Sequence, residues 1–139
     1  MFSIIIPTFN NLELLKLCLK SIKKNSSYNH EIIIHVNEGI DGTFEYVKNN
    51  NYTFSYSKKN EGVCVAFNQA VKKSTKKYIL LGHDDMYFCP SWDNVFYDEI
   101  KKHPFPRSIE SVKSLAILRG AQINVKYAEA FKLLKKIEE

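Results

Sequence analysis

Two adjacent carboxylates, Asp84 and Asp85, follow the apolar run Tyr78-Ile79-Leu80-Leu81-Gly82 after a single residue, His83. Acids released at the end of a buried strand repel each other and are costly to desolvate, so water, a cation or hydrogen-bond donors must offset them. A divalent cation does this well. Mg2+ takes one or two protein carboxylates and completes its shell with water and phosphate oxygens. Such an arrangement can hold a diphosphate and stabilise the charge that builds on it as it leaves. The plainer reading of the same pair is a solvated acidic turn ahead of Pro90.

Three more polar clusters end apolar runs: Pro7-Thr8-Phe9-Asn10, Asn37-Glu38-Gly39-Ile40-Asp41-Gly42 and Asn60-Glu61-Gly62. The runs before them read as strands: Phe2–Ile6, stopped by Pro7; Glu31–Val36; Tyr52–Ser57, alternating aromatic and small polar residues as an edge strand does; and Tyr78–Leu81. Helical spacing fills the gaps. Leu15, Cys18, Leu19 and Ile22 form one stripe after a cap at Asn10 or Asn11, and Thr43–Asn49 is a short helix. Val63, Ala66, Phe67, Ala70 and Val71 form another stripe, and Trp92, Val95, Phe96 and Ile100 a last one before His103-Pro104-Phe105-Pro106. Strands alternating with helices predict an α/β fold, a Rossmann-like and mainly parallel sheet flanked by helices. All four polar clusters then fall at the carboxyl ends of the strands, where such sheets collect ligands. Neither GxGxxG nor GxxxxGK[ST] occurs, which removes the main support for a dinucleotide fold or a P-loop phosphotransferase.

The chain of 139 residues is 45% hydrophobic and 25% charged, which suits a globular domain with its own core. Its net charge of +5 favours anionic ligands but is too small to mark a nucleic-acid binder, and Lys72, Lys73, Lys76 and Lys77 read as the solvated end of a helix. No nucleic-acid partner is expected. Three cysteines without a CxxC pair point to a reducing interior, and no apolar run approaches a membrane span. A cytoplasmic chain is expected, with contact at a membrane surface left open. From residue 104 the sequence predicts only helices, around Ile109–Leu118 and Val125–Ile137, the second with a stripe of Tyr127, Ala130, Phe131, Leu134 and Ile137. The expected division is thus 1–103 for the sheet domain and 104–139 for a helical C-terminal tail, which docks on its own domain or on a partner.

Taken in order, Ser3-Ile4-Ile5-Ile6-Pro7-Thr8-Phe9-Asn10, Ile34-His35-Val36-Asn37-Glu38-Gly39 with Asp41-Gly42-Thr43, Asn60-Glu61-Gly62 with Ala66 and Asn68, and Leu80-Leu81-Gly82-His83-Asp84-Asp85 resemble the N-terminal, nucleotide-sugar-binding half of a family 2 glycosyltransferase with the GT-A fold. The resemblance runs from Phe2 to about Lys102. It implies a nucleotide-sugar donor, UDP-linked or similar, a cation, Mn2+ or Mg2+, and sugar transfer of the hexosyltransferase type to an unknown acceptor. Pro7, Thr8 and Asn10 match the first-strand loop that lies against the nucleoside. Glu38 matches the acidic position that contacts base or ribose, with Asn37 where the family more often has Asp. Asn60, Gly62 and Asn68 match the segment lining the donor cleft.

In the DxD-like triplet, Asp85 takes the metal-ligating place and Asp84 a donor-sugar or indirect one. His83 stands where the family usually has Asp, a departure that implies weaker metal affinity or an altered metal preference and leaves a group that can contact the donor. The family's general base and acceptor segment follow much later, and no counterpart is found in these 139 residues. The alternative is therefore a non-catalytic donor-binding module, or a half completed by a partner chain or by self-association through the C-terminal helices.

Overall fold

The computed structural model describes residues 1–101, 113–118 and Lys126. Four strands, β1 (Phe2–Phe9), β2 (Glu31–Asn37), β3 (Thr53–Ser57) and β4 (Tyr78–Leu81), form one parallel sheet in the order β3-β2-β1-β4. Between them run helices α1 (Leu12–Asn25), α2 (Thr43–Asn49) and α3 (Val63–Val71), and α4 (Trp92–Lys101) follows β4. The expected Rossmann-like α/β class is what the fold shows, with β3 at an edge. The chain divides into two compact units, Met1–Asn94 and Val95–Glu139. In the second, 113–118 is helical. The expected boundary at 103–104, the helix over 125–137 and its apolar stripe lie outside the described residues.

The core explains the order of the elements. Ile4, Ile5 and Ile6 of β1, Ile33, Ile34 and Val36 of β2, and Leu15, Cys18, Leu19 and Ile22 of α1 are all buried. A central strand covered on both faces needs apolar residues at successive positions, and β1 and β2 have them. Each such side chain contributes about 1.5–3 kcal/mol relative to exposure.

Two local expectations are corrected. Pro7 does not stop β1, which continues to Phe9 with Pro7 paired to His35. Ile5 O accepts from Gly82 N at 2.9 Å on the β4 side. Two residues on, the nitrogen of Pro7 faces the same side, past the last residue of β4, so its missing N–H removes no ladder bond. The amide of Asn10 or Asn11 does not cap α1 either. Asn11 holds the cap position without a side-chain bond, and Asp41 Oδ2 accepts from Leu12 N at 2.8 Å. A carboxylate reaching in from the β2–α2 loop also suits the positive end of the helix better than an amide does.

At the opposite end of the sheet, the first turn of α4 clasps the α1–β2 loop. Asp93 is fully buried, and its carboxylate accepts from Ser27 N at 2.8 Å, Tyr28 N at 2.8 Å and His30 Nε2 at 2.9 Å. His30 Nδ1 accepts from Phe2 N at 3.3 Å, which fixes the neutral tautomer with its proton on Nε2. The imidazole lies between the rings of Phe2 and Trp92, at 5.4 and 5.1 Å. Burial works to raise the Asp93 pKa, but the Ser27 amide, the His30 ring and the Tyr28 amide together hold it below the usual carboxylate value.

Candidate functional site

The carboxyl ends of all four strands open on one cleft of about 350 Å³. Chain connections leave β1 toward β2 on one side and arrive at β4 on the other, so the cleft sits at the topological switch point of the sheet. Its walls are Pro7, Thr8, Phe9, Asn10 and Asn11 from the end of β1, Asn37 from β2, Asn60, Gly62 and Val63 from the β3–α3 turn, and His83 and Asp84 after β4. Among the residues expected from sequence, the fold thus gathers Pro7, Thr8, Asn10, Asn60, Gly62, His83 and Asp84. Glu38 stands behind Asn10, while Asn68 is exposed on α3 and Asp85 is exposed beyond Asp84, neither of them on the cleft wall.

Asn10 does more than line the wall. At φ 46° it directs its Oδ1 to the amides of Gly39 and Ile40, at 3.0 and 3.1 Å, and its Nδ2 donates to Glu38 Oε2 at 3.1 Å. The amide therefore joins the ends of β1 and β2. Gly39 makes the joint possible: at φ +76° a Cβ would lie 2.8 Å from Val36 Cγ1 and 2.9 Å from Phe44 N.

Asn37 was set beside Glu38 in the sequence without a role of its own. It is buried, lines the cleft, and accepts Glu61 N on its Oδ1 at 3.1 Å. Phe9, 45% exposed, and Val63, also 45% exposed, add apolar surface. Val63 was expected in the core stripe of α3, but as the first residue of the helix it points to the cleft side. The signal for Phe9 and Asn37 was position alone, in the clusters just past the runs read as strands; the structure extends those strands to end on them.

The triplet after β4 is braced from beneath. Cys18 Sγ donates to His83 O at 3.4 Å, and the His83 ring meets Phe67 edge-on at 5.9 Å. Burial pushes the Cys18 thiol up to about 12, and the charges of Asp84 and Asp85 push it the same way. No group of three or more His, Cys, Asp or Glu side chains gathers among the described residues. By residue type, the carboxylates of Asp84 and Asp85 are the hard oxygen donors that a Mg2+- or Mn2+-like ion takes, with most of its shell left to water and phosphate.

The cleft also contains unfilled hydrogen-bonding capacity. Thr8 is 3% exposed in its wall, and Thr8 Oγ1 has no partner within the protein. The helix α3 starts at Gly62 with no side-chain cap, which leaves the amides of its first turn open to an anion.

The fold agrees with what is found among known proteins. A protein described as an uncharacterized glycosyltransferase of Rickettsia bellii (strain RML369-C) is 33% identical over 91 residues, 62% of this chain and 13% of that protein. The crystal structure of S. aureus TarS 1-349 superposes with a TM-score of 0.65 at 23% identity, over 73% of this chain and 32% of that one. The mannosyltransferase PcManGT of Pyrobaculum calidifontis, in complex with GDP-Man and Mn2+, superposes at 0.62 with 19% identity, over 78% and 32%. The chain thus spans about a third of the length of these solved structures, and at such identities the likeness is one of fold. The model of glycosyl transferase family 2 matches residues 3–111, which takes in every strand of the sheet and every wall of the cleft, so the chain belongs to that family.

Proposed function

We propose that the cleft binds the nucleotide diphosphate of a sugar donor, UDP-linked, for transfer of the sugar to an acceptor hydroxyl. The observation that carries this reading is the convergence of four strand-end loops on one polar cleft with an unpartnered Thr8 hydroxyl and an uncapped helix start. TarS has also been solved in complex with UDP, which supports the choice of nucleotide.

Each wall has a chemical task in this reading. Glu38 keeps one carboxylate oxygen on Asn10 and offers the other to a base N–H or ribose hydroxyl. Phe9 gives a flat apolar face against which a base can stack. Asn60, Gly62 and the first amides of α3 take the phosphates. Asp84 and His83 meet the donor sugar, and Asp85, with Asp84 beside it, would hold the Mn2+ or Mg2+. When bound, the cation supplies positive charge to the departing diphosphate. Asn68, exposed on α3, contributes at the rim. The three free cysteines suit a reducing cytoplasmic setting, and no described helix is long and apolar enough to cross a membrane.

Calorimetric titration of UDP, GDP and their sugars with and without Mn2+ tests the reading. Saturable, metal-dependent binding of a nucleotide diphosphate is expected, and absence of binding to the whole panel rejects it. Release of nucleotide diphosphate in the presence of an acceptor pool then separates a transferase from a donor-binding module that needs a partner chain.

Thr8→Val probes the cleft wall more finely. Removing an unpaired buried hydroxyl is expected to stabilise the free protein by about 1 kcal/mol in thermal melts and to weaken nucleotide binding several-fold. A variant that binds as tightly as the wild type would take Thr8 out of the site.

A further inference from the structure

His35 sits inside β2 and is fully buried, yet both ring nitrogens meet hydroxyls of the neighbouring strand. Nδ1 lies 2.8 Å from Ser55 Oγ and Nε2 2.9 Å from Ser57 Oγ. The parallel register explains the fit, because His35 is paired with Ser55 and Asn37 with Ser57. The chain of bonds continues outward: Ser57 Oγ donates to Glu61 Oε2 at 2.9 Å. A hydroxyl has one proton, so the Ser57 oxygen must accept from His35 Nε2–H, and bare Nδ1 then accepts from Ser55. Every donor in the series has one acceptor. Burial lowers the His35 pKa, with Asn37 and the Glu61 charge acting the other way, which keeps the ring in the neutral form that the series requires.

Glu61 is the outer anchor. Its Oε2 also accepts from Gln69 Nε2 at 2.8 Å, and its own amide donates to Asn37 Oδ1 at 3.1 Å. It is exposed and does not line the cleft, whereas its neighbours Asn60 and Gly62 do. Those neighbours form a tight turn in which Gly62 N donates to Asn60 Oδ1 at 2.9 Å with Gly62 at φ +82°. An exposed turn containing glycine loses much conformational freedom when held in one shape. Here a buried imidazole, through two hydroxyl bonds and a carboxylate, holds it.

We infer that His35, Ser57 and Glu61 form a positioning relay that fixes the Asn60–Gly62 turn, one wall of the cleft, and thereby raises its affinity for the donor diphosphate. This rests on the nucleotide-binding reading of the site. Support from rigid elements beneath a binding loop has this effect because the ordering is done before the ligand arrives.

Glu61→Ala, Glu61→Gln and Ser57→Ala test the relay by two independent readouts, amide hydrogen exchange at residues 60–62 and titration with UDP and Mn2+. Glu61→Ala is expected to speed exchange about tenfold and to weaken UDP about tenfold, with the thermal midpoint little changed because the residue is exposed. Glu61→Gln retains an acceptor for Ser57 and is expected to behave within about twofold of wild type, which separates positioning from a charge effect on the phosphates. Ser57→Ala should reproduce the Glu61→Ala exchange, and the double variant should add little to either. Unchanged exchange in Glu61→Ala overturns the relay. Faster exchange with unchanged UDP affinity overturns its role in binding. Faster exchange in a protein whose wild type binds no nucleotide upholds the relay as a holder of the turn and rejects the nucleotide reading instead.

Discussion

Asp93→Ala is expected to lower stability by about 3–5 kcal/mol, since each buried donor left without an acceptor costs about 1–3 kcal/mol. The substitution leaves the amides of Ser27 and Tyr28 and the Nε2–H of His30 without their common acceptor. Buried donors without partners account for most of the loss. For a chain of this size the thermal midpoint should fall by on the order of 10 °C or more. Asp93→Asn, which keeps one carbonyl acceptor but loses the charge, should fall between. The sign with pH follows from the depressed carboxylate. Its stabilisation is present above the ordinary value of 3.8 and is lost as pH falls through the lower folded value. Melting curves of the wild type and Asp93→Ala should therefore converge in strong acid. A midpoint within about 2 °C of wild type at pH 7 would mean that the clasp contributes nothing.

Asp85→Ala has the largest expected effect on function, a loss of about 100-fold or more in UDP affinity measured with Mn2+, since even indirect partners of a metal ligand are worth 10–100-fold. Asp85 is exposed, so the melting curve should not move. Titration without metal should give the same weak binding for variant and wild type. The matching gain-of-function arm is His83→Asp, which places a carboxylate at the first position of the triplet and should tighten Mn2+. Equal affinity of Asp85→Ala and wild type in the presence of Mn2+ would reject the assignment of this residue to the cation.

Part of this architecture is legible in short stretches of sequence because the forces that cause it act locally. The run Ile4-Ile5-Ile6, short, β-branched and followed by Pro7, reads as a strand buried on both faces, and the spacing of Leu15, Cys18, Leu19 and Ile22 as a helix with one buried stripe, and both are found. A parallel sheet then places every βα turn at one end, so Thr8, Asn60 and Asp84 converge without any knowledge of their contacts. Where local rules failed, the deciding term was elsewhere in the chain. Pro7 remains in β1 because β4 ends at Leu81, more than seventy residues away in sequence. The α1 cap comes from Asp41, since the Asn10 amide that would have supplied it is taken by the turn after β2.

The sequence by itself determined the strand and helix types, the end of the sheet at which polar residues gather, and the family to which they point. Tertiary structure alone decided which polar groups meet: Asn10 with Glu38, Asp93 with His30, His35 with two serines and through them Glu61. The reason is physical. Apolar burial is non-directional and tolerates any neighbour, so its pattern survives in one dimension, whereas a hydrogen bond needs a partner within about 3 Å at a set angle, and only strand register and helix packing fix that.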